Sequence, residues 1–88
     1  NKIDVVELPS LRRTASITGL ALPRYLADLG NGQAAVSEWV SYTGVGRVTF
    51  INLNNNTLAG SVAVDSLPEQ MAVAGNQLYV GHAGAARV

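Results

Sequence analysis

The side chains able to do chemistry in this 88-residue chain are few and far apart. His82 is the single histidine, placed directly after a Leu78-Tyr79-Val80-Gly81 stretch. Imidazole serves as a general base or a metal ligand, but either task needs acidic or polar partners close by. The carboxylates Asp4, Glu7, Asp28, Glu38, Asp65 and Glu69 show no close pairing of the kind acid–base catalysis uses. Asp65 and Glu69 bracket a proline and read as solvated. No spacing matches a calcium loop or a zinc site. The sequence therefore assigns no catalytic residue, no metal and no cofactor. Trp39 and Tyr42 lie three positions apart. Such rings form rigid apolar platforms for sugars or ring-shaped ligands, and equally pack between layers; packing is the simpler reading for Trp39. Trp39, Tyr42 and His82 are the ligand-binding candidates.

Composition narrows the classes further. Net charge is zero, and the six basic residues are scattered apart from Arg12-Arg13, so no stripe exists for nucleic acid. Cysteine is absent, which excludes disulfides and thiolate metal sites. No apolar run approaches the ~20 residues of a membrane helix, so no membrane-spanning segment is expected. Charged residues make up only 14%, against ~25% in ordinary soluble domains, which fits strands covered on both faces.

The elements that must position these residues come in copies. Arg47-Val48-Thr49-Phe50-Ile51-Asn52-Leu53 echoes Lys2-Ile3-Asp4-Val5-Val6-Glu7-Leu8 at a spacing of 45, and Arg87-Val88 opens a third copy 40 residues later. Laying Pro23 on Pro68 aligns Leu8 with Leu53, Leu22 with Leu67, and Gly30-Asn31 with Gly75-Asn76, with Gly32 as a one-residue insertion. The expected units are 2–46 and 47–86, with a third beginning at 87–88. In the second, residues 47–53, 58–64, 70–74 and 77–81 read as strands, separated by an Asn-rich turn, a proline loop and a Gly-Asn turn. Leu53 and Val80 read as buried strand residues. In the first, Pro23-Arg24-Tyr25-Leu26-Ala27-Asp28-Leu29-Gly30 carries helix start and stop signals; its place between two clearer strands favours a strand. Gly44-Val45-Gly46 reads as a flexible link between units. Four short strands per unit, at a period of roughly 40–50 residues, describe the blade of a β-propeller.

The second unit resembles the YVTN-type propeller repeats of bacterial surface and secreted proteins. Val48-Thr49-Phe50-Ile51-Asn52 is similar to that family's opening strand, Ser61-Val62-Ala63-Val64 with Leu67-Pro68 to its second strand and proline loop, and Gly75-Asn76-Gln77-Leu78-Tyr79-Val80 to its naming turn and strand. Asn52 stands where the family has Asp, and Ala34-Ala35 replaces Leu78-Tyr79 in the first unit. The resemblance implies an all-β chain forming about two four-stranded blades of a larger, seven-bladed propeller. It implies a non-enzymatic binding or scaffold protein of the bacterial envelope, outer surface or periplasm, serving as an accessory subunit of a surface assembly. Its partners would be the other blades and other envelope proteins. The alternative is a lactonase- or lyase-like propeller enzyme with its catalytic residues in other blades; a third is a short repeat protein that assembles from copies. Asp65-Ser66-Leu67 is similar to the O-glycosylation acceptor of some bacterial envelope proteins, making Ser66 a modification candidate. Asn55-Asn56-Thr57 fits the N-glycosylation pattern.

Overall fold

The computed structural model describes residues 1–83. Eight antiparallel strands follow one another: β1 (Ile3–Glu7), β2 (Arg12–Ile17), β3 (Pro23–Gly30), β4 (Gln33–Glu38), β5 (Gly46–Asn52), β6 (Thr57–Val64), β7 (Pro68–Ala74) and β8 (Gln77–His82). The protein is all-β, with no helix among the described residues. Pro23–Gly30 is a strand, as its flanking elements require. The end of the second unit and the start of a third, at 87–88, lie outside the described residues.

The strands group differently from the sequence units. Hydrogen bonding makes a β1–β2 hairpin, a four-stranded meander β3-β4-β5-β6, and a β7–β8 hairpin. The four-stranded sheet thus takes two strands from each side of the 46/47 boundary, so neither 2–46 nor 47–86 is one hydrogen-bonded sheet. Sequence spacing counts strands but does not say which link keeps the chain in the sheet. Here the 39–45 link returns β5 beside β4, and Glu38 comes to face Arg47. The other two links leave the sheet at Leu22 and Leu67, whose φ angles of 52° and 54° turn the chain immediately before Pro23 and Pro68. Gly46, expected in a flexible link, is the buried first residue of β5. Leu53, expected in a strand, sits in the β5–β6 loop and is 42% exposed.

The backbone carries the 45-residue interval where residue types do not. The β1–β2 and β5–β6 loops, 8–11 and 53–56, each end in a positive-φ residue, Leu11 (62°) and Asn56 (58°). The ladder irregularity between Val5 and Val6 recurs between Phe50 and Ile51. Trp39 donates its amide to the Leu22 carbonyl at 3.0 Å, and Ala83 donates to Leu67 at 2.8 Å. The extra glycine of the first copy is absorbed at the β3–β4 turn. Asn31 and Gly32 both have positive φ there (53° and 74°), the two-residue turn that Asn-Gly favours, and Leu29 bulges from the ladder. In the second copy Gly75 alone is positive, at 61°.

The core lies in the seam between layers. Ile17, Val36 and Ile51 form a buried cluster, with Ile3 and Val5 packed on it, so the β1–β2 hairpin covers one face of the central sheet. Burying each such aliphatic chain contributes about 1.5–3 kcal/mol. The alternate residues Ala35, Ser37 and Val48 are also buried, and β7 packs against β3, β4 and β5. Pro68 seats on Gly46, where a Cβ would lie 2.2 Å from the proline Cδ. Strand β4 is consequently paired on both edges and covered on both faces. Residues 34–38 are all buried, whereas β6, at the outer edge, is exposed along nearly its whole length.

Candidate functional site: an aromatic and cationic cleft

Trp39 leaves β4 at a point where three segments meet, and its surroundings are polar. The indole Nε1–H donates to Glu69 Oε2 at 2.7 Å. Arg24 Nε donates to the same oxygen at 3.0 Å, while its guanidinium carbon lies 4.5 Å from the Trp39 ring centroid. Stacking on an indole and pairing with a carboxylate suit the planar Arg head together. Tyr42 meets Trp39 edge-to-face, with centroids 5.6 Å apart and planes at 74°. These contacts border a cleft of about 240 Å³ lined by Asn1, Lys2, Leu22, Arg24, Trp39 and Tyr42, among others.

The two aromatic candidates are therefore brought together, but with different duties. Trp39 is held on one ring face by Arg24 and by its N–H to Glu69, which fastens the sheet to the start of β7. Tyr42 remains 70% exposed. Its ring is the open platform of the cleft, with Lys2, 3.7 Å from Asp4, and Arg24, paired with Glu69, beside it. The arrangement places one exposed aromatic face beside two ion pairs, Lys2–Asp4 and Arg24–Glu69.

His82 lies elsewhere, at the end of β8 opposite Pro68. Its Nδ1–H donates to the Ser66 carbonyl at 2.8 Å, because a carbonyl only accepts. His82 occupies the position in its hairpin that Glu38 occupies in β3–β4, and the two side chains do related work. Glu38 accepts from the Ala21 amide at 2.8 Å, and Ala21 aligns with Ser66. In each copy a side chain at the end of the second strand ties down the residue before the Leu-Pro turn. Ser66 is half-buried in that tied turn.

Sequence reasoning missed the most ordered polar group. Glu38 is fully buried, and each carboxylate oxygen receives two donors. Oε1 accepts from the Ala21 amide and from Arg47 Nη2 at 2.6 Å; Oε2 accepts from Arg47 Nε at 3.1 Å and from the Thr49 hydroxyl. Burial pushes the carboxyl up, but the hydrogen bonds from Arg47, Thr49 and Ala21, with the Arg47 charge, outweigh it and hold Glu38 below its ordinary value. Opposite charges at 38 and 47 flank the 39–45 link, but they signal a pair only once that link is known to join neighbouring strands. Arg24 and Glu69 gave no such signal, because their contact spans two different layers.

Among the described residues no group of three or more His, Asp or Glu side chains could hold a metal ion, and no helix is long and apolar enough to cross a membrane. Comparison of the chain with protein-family models, curated proteins and solved structures gives no match.

Proposed function

We propose that the chain is part of a β-propeller that acts as a non-enzymatic binding and scaffold protein of the bacterial envelope or outer surface, an accessory element of a larger surface assembly. The observation that carries the reading is the recurrence of backbone geometry at 45 residues in layered antiparallel sheets. The positive-φ turns at Leu22 and Leu67, the Trp39–Leu22 and Ala83–Leu67 hydrogen bonds and the two-faced burial of β4 all fit stacked, repeated blades. Propellers are built by stacking four-stranded meanders; here one such meander, β3-β4-β5-β6, carries the β1–β2 hairpin on one face and packs against β7. Such a stack is rigid, so it presents its links as fixed surface features.

The ordered polar side chains favour a scaffold over a catalyst. Glu38 is saturated by four donors, and His82 is engaged with the Ser66 carbonyl. Both are occupied in holding turns. Tyr42, beside the Lys2–Asp4 and Arg24–Glu69 pairs, is the exposed recognition feature, and hydroxyl-rich surface polysaccharide is the ligand class its chemistry suits.

Trp39 is the single tryptophan and borders the cleft, so its fluorescence reports on occupancy. Titration with purified bacterial surface polysaccharides should give saturable quenching that weakens at least tenfold in Tyr42→Ala. The same samples, incubated with divalent metals, should show neither lactone hydrolysis nor stoichiometric metal. Turnover, or a bound metal at unit stoichiometry, would replace this reading with the enzymatic one.

A further inference from the structure

We propose that the tip of the β1–β2 hairpin, residues 8–11, is a lipid-contacting element that inserts two leucines into the surface of a phospholipid bilayer. Leu8 is 76% and Leu11 72% exposed, the two most exposed large apolar side chains among the described residues. Pro9 and Ser10 between them are exposed as well, and so are Arg12, Arg13 and Thr14 behind them. None of the four loop residues lines the Tyr42 cleft.

The other copy shows what such a loop needs when it only turns the chain. Leu53-Asn54-Asn55-Asn56 stands where Leu8-Pro9-Ser10-Leu11 stands, and both loops end in the left-handed conformation, Asn56 at φ 58° and Leu11 at 62°. Asparagine tolerates that conformation, whereas leucine is strained in it and gains nothing from packing when it faces water. Leu11 thus carries two penalties that the turn does not require, and an apolar contact outside the chain accounts for both. The 53–56 loop projects from a sheet that is paired and stacked on its neighbours, yet Asn54 and Asn55 stay exposed. A loop at this place therefore remains open when other sheets cover its hairpin.

The dimensions select a bilayer as the partner. Four residues at a convex tip fall far short of the ~800 Å² per side that a stable protein interface buries, but a lipid surface needs no matching shape. Strands rise about 3.3 Å per residue, so Arg12 and Arg13 lie about 3 and 7 Å behind Leu11. Apolar faces of interfacial elements sink about 5–10 Å into the headgroup boundary. With Leu8 and Leu11 at that depth, the two guanidiniums reach the level of the lipid phosphates, which suit their forked donors. Their partners within the hairpin hold them weakly: Arg12 is 3.8 Å from Glu7 and Arg13 4.0 Å from Asp4, both exposed pairs. Because Asp4 and Glu7 offset the two arginines in charge, apolar insertion carries the binding and salt does little to it.

The sequence has no cysteine of its own, so in the full chain Ser10→Cys gives one thiol at the tip and Asn55→Cys one in the other loop. Each is labelled with nitrobenzoxadiazole and mixed with vesicles of phosphatidylethanolamine and phosphatidylglycerol. The tip dye should shift to the blue, be quenched by brominated acyl chains, and keep both responses in about 0.5 M salt. The dye at position 55 should show neither. In vesicle flotation of the unlabelled chain, Leu11→Asn should bind at least threefold more weakly than wild type, and Leu8→Gln with Leu11→Asn at least tenfold. Leu11→Asn adopts the residue the other copy uses, so it should melt no lower than wild type, which separates lost insertion from lost folding. No shift of the tip dye with vesicles, or a double variant that floats like wild type, would overturn the proposal. So would a blue shift that grows with protein concentration in the absence of vesicles, since the tip then enters a protein pocket.

Discussion

Replacing Arg47 by methionine isolates the energetics of the Glu38 network. The guanidinium supplies two of the four donors to a carboxylate with no exposed surface, and it is itself only about one-third exposed. Its removal leaves the Ala21 amide and the Thr49 hydroxyl against a full negative charge. Breaking a buried pair from one side costs about 3–5 kcal/mol, because the remaining charge has neither water nor a counter-ion. In a chain of this size each kcal/mol lowers Tm by about 4–8 °C, so Arg47→Met should melt about 12–40 °C below wild type at neutral pH. Replacing both residues with methionine removes the stranded charge, and the double variant should recover most of the loss. Acid provides the sign test. Glu38 is held below its ordinary carboxyl value of 4.5 in the folded state, so its contribution is present above that value and is lost as pH falls through the depressed one. In Arg47→Met the buried carboxyl, without its counter-ion, prefers its proton, so acid should relieve the defect and the two melting curves should converge. Circular dichroism melts of the three proteins between neutral and acid pH decide the matter. A single variant within 1 kcal/mol of wild type at neutral pH, or a double variant no better than the single, would refute the reasoning.

Other consequences are equally direct. Gly46→Ala should destabilise by about 1–3 kcal/mol in urea titrations, because its Cβ would sit 2.2 Å from Pro68 Cδ and 2.9 Å from the Glu38 carbonyl, prising β7 from the sheet. Gly32→Ala should cost more than Gly30→Ala. Both have positive φ, but only at Gly32 does the new methyl meet a neighbour, the Asn54 amide at 2.9 Å. Glu69→Ala should free the Trp39 indole and unclamp Arg24, giving a red-shifted Trp39 emission and a loss of about 1 kcal/mol in the same denaturation series. His82→Ala should cost about 0.5–1.5 kcal/mol by removing the tie to the Ser66 carbonyl, measured by thermal melting.

Much of the local structure was legible because it is encoded locally. Turn residues announced the hairpins: Gly30-Asn31 and Gly75-Asn76 marked the turns, although the first turn is made by Asn31 and the extra Gly32, and the Asn54–Asn56 run closes the β5–β6 loop. The copy relation at 45 residues could be read from Leu-Pro and Gly-Asn punctuation alone, although the first copy's insertion needed a bulge at Leu29 to accommodate it. Leu53 was misplaced because a leucine after an alternating run looks like one more strand residue, whereas Asn52 already opens the turn with its side chain on the Asn54 amide. The aromatic pair was visible as a pair, since Trp39 and Tyr42 share one link.

What the chain order could not contain was adjacency between layers. Short links separate every strand from the next, so nothing local distinguishes the link that keeps β5 beside β4 from those at Leu22 and Leu67 that carry the chain into another layer. That choice put Glu38 against Arg47 and Thr49, and so turned one of six scattered carboxylates into the buried anchor of the sheet. The same choice set Glu69 against Arg24 and Trp39, leaving Tyr42 as the open ring of the cleft. Backbone conformation and hairpin register follow from neighbouring residues, and the sequence determined them. Which faces meet depends on how whole sheets bury their apolar sides, and only the tertiary structure decided that.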